Sequence, residues 1–92
     1  MKKHTRIYLD AMGYDESDFI PCEMCGQRAV DIHHIHARGM GGSDTKDYIE
    51  NLMALCRACH LEYGDKTHHR VALVERHWEV MQERNVKRQH ED

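Results

Sequence analysis

Apolar positions along the chain fall into short clusters separated by turn-forming stretches. Ile7, Leu9 and Met12 are partly in phase with a short helix over about residues 4–12, which Gly13 stops. The polar run DESDF leads into IPCEMCGQ, a turn with two cysteines. RAVDIHHI is β-branched enough for a strand, and ARGMGGSDTKD is a loop dense in glycine and polar turn formers. YIENLMALC predicts a second extended segment, and from Ala58 the pattern turns helical until Gly64. A C-terminal helix is predicted from Thr67, as N-cap, to about Lys87. Its Val71, Val74, Trp78 and Met81 recur at spacings of three and four, an apolar stripe expected to pack on the core rather than to form a dimer seam. The tail KRQHED is expected to fray, and no internal repeat or second domain is visible.

Composition sharpens this picture. Of 92 residues, 40% are hydrophobic, with one Phe and one Trp, so residues 1–92 read as a single domain with a thin core. Such domains commonly recruit a metal or disulfides. No apolar run approaches the roughly 20 residues that span a bilayer, and the N-terminal stretch lacks the apolar core of a secretory signal. A cytoplasmic protein without a membrane partner is expected, and in a reducing compartment four cysteines point to metal. The net charge of −3 argues against non-specific coating of nucleic acid. It leaves a nuclease open, because a bound divalent ion adds positive charge where a phosphate would sit.

Cys22 and Cys25 form one C-x-x-C, and Cys56 and Cys59 form another. Two residues between cysteines let one tight turn present both sulfurs to one ion, and two such pairs make a closed tetrahedral site. Zinc is the expected ion. Iron competes, since sulfur geometry alone does not separate the two metals. The pairs enclose residues 26–55, and that loop contains His33, His34 and His36.

Adjacent residues of a strand point to opposite faces, so His33 and His34 are poor partners for one ion but suit a divided task. One can hold a metal while the other addresses a nearby water. Phosphodiester hydrolysis needs that division, a general base for the attacking water and a Lewis acid for the phosphate charge. His60 follows the last cysteine, and in a helix it projects about 100° away from Cys59, free for a second ion.

DIHHI followed by NLMALCRACH resembles the HNH endonuclease family in its four-cysteine, zinc-bearing branch. The order C-x-x-C, HH, N-L and L-C-x-x-C-H carries the likeness, from Cys22 to about Lys66. The resemblance implies a ββα-metal fold, treble-clef-like, and cleavage of nucleic acid, mainly DNA, with a divalent ion. It implies His33 and His60 as ligands of the catalytic ion, His34 as general base and Asn51 as the residue that orients the base. It also implies Cys22, Cys25, Cys56 and Cys59 as ligands of structural zinc. Arg38 and His36 lie outside that pattern and are candidate phosphate contacts, with a solvated loop side chain the alternative for each.

The expectation is therefore an α+β domain of ββα-metal type, with a core over residues 20–66, structural zinc and a flanking helix on each side. The expected function is metal-dependent endonuclease action on DNA. Mg²⁺ is the expected catalytic ion, with Mn²⁺, Ni²⁺ and Zn²⁺ also suited to imidazole. The alternative is a non-catalytic, zinc-stabilised nucleic-acid-binding module or a subunit of a larger nucleic-acid machine. A homodimer is compatible with the sequence but not indicated by it.

Overall fold

The computed structural model describes residues 1–37, 44–64 and 66–89. Its elements are α1 (Lys3–Met12), β1 (Asp31–His34), β2 (Leu52–Leu55), α2 (Arg57–Tyr63) and α3 (Arg70–Glu83). Single 3₁₀ turns lie at Asp44–Lys46, Ile49–Asn51 and Thr67–His69. This is a small α+β fold in which an antiparallel two-stranded sheet is packed among helices, consistent with the ββα-metal type. None of the described helices is long and apolar enough to cross a membrane.

The register pairs Asp31 with Leu55, Ile32 with Ala54, His33 with Met53 and His34 with Leu52. Every residue of β2 is buried, because both faces of the strand carry a core. Leu52 and Ala54 pack with Tyr8, Leu9 and Met12 of α1. Met53 and Leu55 pack on the other side with Cys22, Cys56, Cys59 and Leu73. On β1 the same alternation sends Ile32 into the α1 side.

Two left-handed glycines make the turns that deliver these elements. Gly13 (φ 81°) ends α1, its N–H donating to the Leu9 carbonyl at 3.0 Å. Gly26 (φ 83°) closes the first cysteine turn, which Pro21 and Arg28 join as a bridge.

Between the cysteines of that turn lies Glu23, a buried carboxyl group that ties four segments together. Its Oε2 accepts from the Tyr8 hydroxyl at 2.5 Å and from the Ala54 N–H at 3.3 Å, while Oε1 lies 2.7 Å from His77 Nδ1. The Glu23 carbonyl also accepts from Arg76 Nε at 2.7 Å. His77 Nε2 faces the Ile49 carbonyl at 2.6 Å, and a carbonyl only accepts, so this nitrogen donates. Nδ1 then shares a proton with Glu23. Burial, and then the neighbouring Glu23 carboxylate, push the Tyr8 phenol far above its usual range, so it stays a donor.

This network corrects the stripe expected on the C-terminal helix. Val71, Val74 and Trp78 are 69%, 41% and 46% exposed, and the buried residues are Leu73, His77 and Met81. The buried face has the same helical period but a polar member, which a search for apolar residues skips. His77 is buried because both ring nitrogens find oxygen partners. The helix proper begins at Arg70 rather than at Thr67, which lies in a 3₁₀ turn, and it ends at Glu83.

Removing one partner of a buried, hydrogen-bonded pair typically costs about 3–5 kcal/mol. Glu23→Ala should lower the unfolding free energy by about that amount. Val71→Ser should change it by less than about 0.5 kcal/mol. Urea denaturation of the metal-loaded protein measures both, and a Val71 effect as large as that of Glu23 would contradict the packing described.

Candidate active site

The cysteines converge from two differently built turns. In the first, the Cys22 N–H donates to the Gln27 carbonyl at 2.6 Å and the Gly26 N–H to the Cys22 carbonyl at 2.8 Å, curling the chain so that buried Cys22 and exposed Cys25 both approach the second pair. In the second, Cys56 caps α2, its sulfur accepting from the Cys59 N–H at 3.4 Å. The four sulfurs lie within 4.8 Å of one another. Cys25 and Cys56 are 3.6 Å apart, far beyond a disulfide bond. Sulfurs at the corners of a tetrahedron with Zn–S bonds of 2.3 Å are separated by about 3.8 Å. The cluster could hold a metal ion such as zinc.

His33 and His34 diverge to opposite sides of β1. His33 is buried on the cysteine side, its ring centroid 4.9 Å from that of His60 on α2. Asp31, two residues back and so on the same face, has Oδ2 3.1 Å from His60 Nδ1. Gly64 makes room for His60. A Cβ there would lie 2.5 Å from both the ring Cδ2 and the carbonyl oxygen of His60.

His34 faces α1. Its Nε2 lies 2.7 Å from Oδ1 of Asp47, whose side chain is 1% exposed, and its ring is 4.7 Å from that of His4. One ligand atom each from His4, His34 and Asp47 lie within 4.8 Å of one another. Among the described residues, this trio and the four cysteines are the groupings of three or more possible metal ligands; His33 and His60 supply a pair.

Asn51 is buried and makes three side-chain hydrogen bonds. Its Oδ1 accepts from the His36 N–H at 2.7 Å, and its Nδ2 donates to the carbonyls of His36 and Lys46, each at 3.0 Å. The side chain of Asn51 thus joins the end of β1 to the turn just before Asp47. His36 itself is exposed, and partial burial with the charges of Arg70 and Lys46 holds its imidazole below the usual range. Beside His33 opens a pocket of about 230 Å³ lined also by Tyr63, Lys66 and Arg70. Arg38 lies outside the described residues.

A model of the HNH endonuclease family matches residues 22–66. Residues 22–66 are an HNH segment. No curated protein and no solved structure matches it. The HNH segment contains all four cysteines, His33, His34, Asn51 and His60. The match supports a nuclease or nucleic-acid-related function.

Sequence reasoning missed several residues around the paired histidines. Asp31 was within reach, since the period of a strand places it beside His33. Asp47 and His4 carried no such signal, because contacts with distant parts of the chain decide their positions. Lys66 and Arg70, which the sequence reading did not single out, are cationic groups lining the pocket beside His33.

The cysteine cluster generates a prediction. The Cys59 N–H draws the Cys56 thiol down to about 7, whereas burial and the surrounding sulfurs push Cys59 up. Without metal the cluster therefore holds protons at neutral pH, and zinc must displace them. Its apparent affinity should fall with pH throughout the neutral range, more steeply below about 7 where Cys56 is protonated as well, and uptake should acidify a weakly buffered solution. Cys56→Ser should lose most bound zinc by elemental analysis. Equal affinity at about pH 6 and pH 8 would exclude thiolate ligation.

Proposed function

We propose that this HNH domain is a metal-dependent endonuclease that hydrolyses phosphodiester bonds in DNA. One observation carries the reading: adjacent histidines divided by the strand, His33 towards His60 and His34 towards a buried carboxylate. That division matches the two needs of the reaction, an electrophile for the phosphate and a base for water. In this proposal Cys22, Cys25, Cys56 and Cys59 hold structural zinc. His33 and His60 hold the catalytic ion, with Mg²⁺ the expected ion and Mn²⁺, Ni²⁺ or Zn²⁺ acceptable to imidazole. When bound, that ion offsets negative charge on the phosphate and on the departing 3′-oxygen. The free thiols fit a reducing, cytoplasmic setting.

The chain's own groups supply the rest. Asp47 accepts the proton on Nε2 of His34, which fixes the tautomer and leaves the Nδ1 lone pair to take a proton from water. The resulting imidazolium is stabilised by the same carboxylate. Asn51 holds the backbone on both sides of this pair, so base and phosphate keep their separation. Lys66 and Arg70, lining the pocket beside His33, give an acidic protein a local cationic seat for a phosphate.

Single-turnover nicking of supercoiled DNA over a series of divalent ions tests the proposal. His34→Ala should lose about 10²–10⁴-fold in rate while zinc content and DNA affinity stay near wild type. Asp47→Asn should cost about a hundredfold in rate with little change in KM, and imidazole ¹⁵N spectra should show His34 losing its single tautomer. Absence of cleavage by the zinc-loaded wild type with every ion, with DNA still bound, would instead identify a binding module.

Gly64→Ala probes the ion from the other side. The added methyl group meets the carbonyl of His60 as well as its ring, so the ring has to move. Binding of Mn²⁺ to the zinc-loaded protein should weaken by about tenfold or more, with zinc content unchanged. An unaltered Mn²⁺ titration would remove His60 from the ligand set.

A further inference from the structure

The trio of His4, His34 and Asp47 comes from three separate parts of the chain: α1, β1 and the segment after the Asp44–Lys46 turn. His4 lies outside the segment that carries the family pattern. We propose that these three residues form a further cation site, selective for borderline transition ions such as Zn²⁺, Ni²⁺ and Co²⁺ over Mg²⁺, and that an ion there switches the nuclease off.

The geometry fits an ion of that class. Two imidazole nitrogens and one carboxylate oxygen suit zinc and its neighbours, whereas Mg²⁺ favours oxygen ligands and retains water. With metal–ligand bonds of about 2.0–2.1 Å, tetrahedral ligand atoms stand about 3.3 Å apart. His34 Nε2 and Asp47 Oδ1 are 2.7 Å apart, so replacing the shared proton by an ion requires an opening of well under an ångström. The Asp47 carboxylate is buried and His4 half-buried, which holds both ligands in place, and the fourth position is left to water.

Inhibition follows from the chemistry of imidazole, and this consequence alone rests on His34 acting as the base. A neutral imidazole that donates the Nε2 lone pair to a metal carries its proton on Nδ1. The Nδ1 lone pair needed to accept a proton from water is then absent. Asp47, engaged with the ion, no longer stabilises the imidazolium. Transition ions would therefore act in two opposed ways, supporting reaction at His33 and His60 and blocking it at His34.

The test uses zinc-loaded protein with the cysteine site filled and counts further Co²⁺ by calorimetry and by its visible spectrum. His4→Phe retains a ring against His34 but removes the ligand nitrogens, and Asp47→Asn removes the carboxylate. Each should weaken one class of Co²⁺ binding by at least about tenfold, while His60→Ala leaves that class intact. With saturating Mg²⁺, added Zn²⁺ should inhibit nicking by wild type but not by His4→Phe, whose rate without Zn²⁺ stays near wild type. Co²⁺ binding by His4→Phe and Asp47→Asn identical to wild type would overturn the site. Zn²⁺ inhibition undiminished in His4→Phe would overturn the switch. The count of bound ions does not depend on cleavage, so an inactive wild type that loses one Co²⁺ class in His4→Phe would sink the nuclease reading and support the site.

Discussion

A β-strand offers its side chains alternately to two faces, and in a sheet of two short strands nothing dilutes that rule. Here β2 spends both faces on packing, Leu52 and Ala54 towards α1, Met53 and Leu55 towards the cysteines. With β2 committed in both directions, the register leaves β1 no freedom, since a slip by one residue would exchange every contact. His33 must then face α2 and His34 must face α1. The separation of two adjacent histidines into two chemical settings is a consequence of burying β2 completely.

The two faces also depend on different supports. On one, sulfur chemistry closes the core: Cys56 both caps α2 and belongs to the cluster, so the helix that carries His60 starts at a candidate metal ligand. On the other, the support is the packing of α1, whose Tyr8 reaches Glu23 inside the first cysteine turn. Glu23 links these supports, with Tyr8, His77 and the Ala54 N–H around one carboxyl group between Cys22 and Cys25. A small core with few large apolar residues thus uses a polar node where a larger domain would use hydrophobic contacts.

What could be read from the sequence was whatever local rules control. Cysteine spacing, strand alternation and glycine stops predicted the two turns, the opposed histidines and the end of α2, and the family pattern pointed to Asn51 and His60. What could not be read was decided by partners distant in the chain. His77 is buried because Glu23, 54 residues earlier, and the Ile49 carbonyl satisfy its nitrogens, and that displaced the expected stripe from the core. Asp47 meets His34 across a separation of 13 residues, which no local rule spans. The long-range polar contact is the common cause of both misses.

Asn51 illustrates how one side chain can extend a sheet that the backbone has finished. The Ile35 N–H still donates to the Asn51 carbonyl at 2.9 Å, but beyond that point the strands part. The carboxamide of Asn51 then pairs with the N–H and carbonyl of His36, giving that residue the same acceptor and donor that a neighbouring peptide group would supply. Its second N–H goes to the Lys46 carbonyl, which fixes the loop one residue before Asp47. An aspartate offers only acceptors when ionised and would leave the His36 and Lys46 carbonyls without donors. A glutamine carries an extra methylene in a position where Asn51 is already fully enclosed. The requirement for asparagine therefore lies in the backbone: it must imitate a peptide while reaching two strands of chain, and the His34–Asp47 contact is held in place by the result.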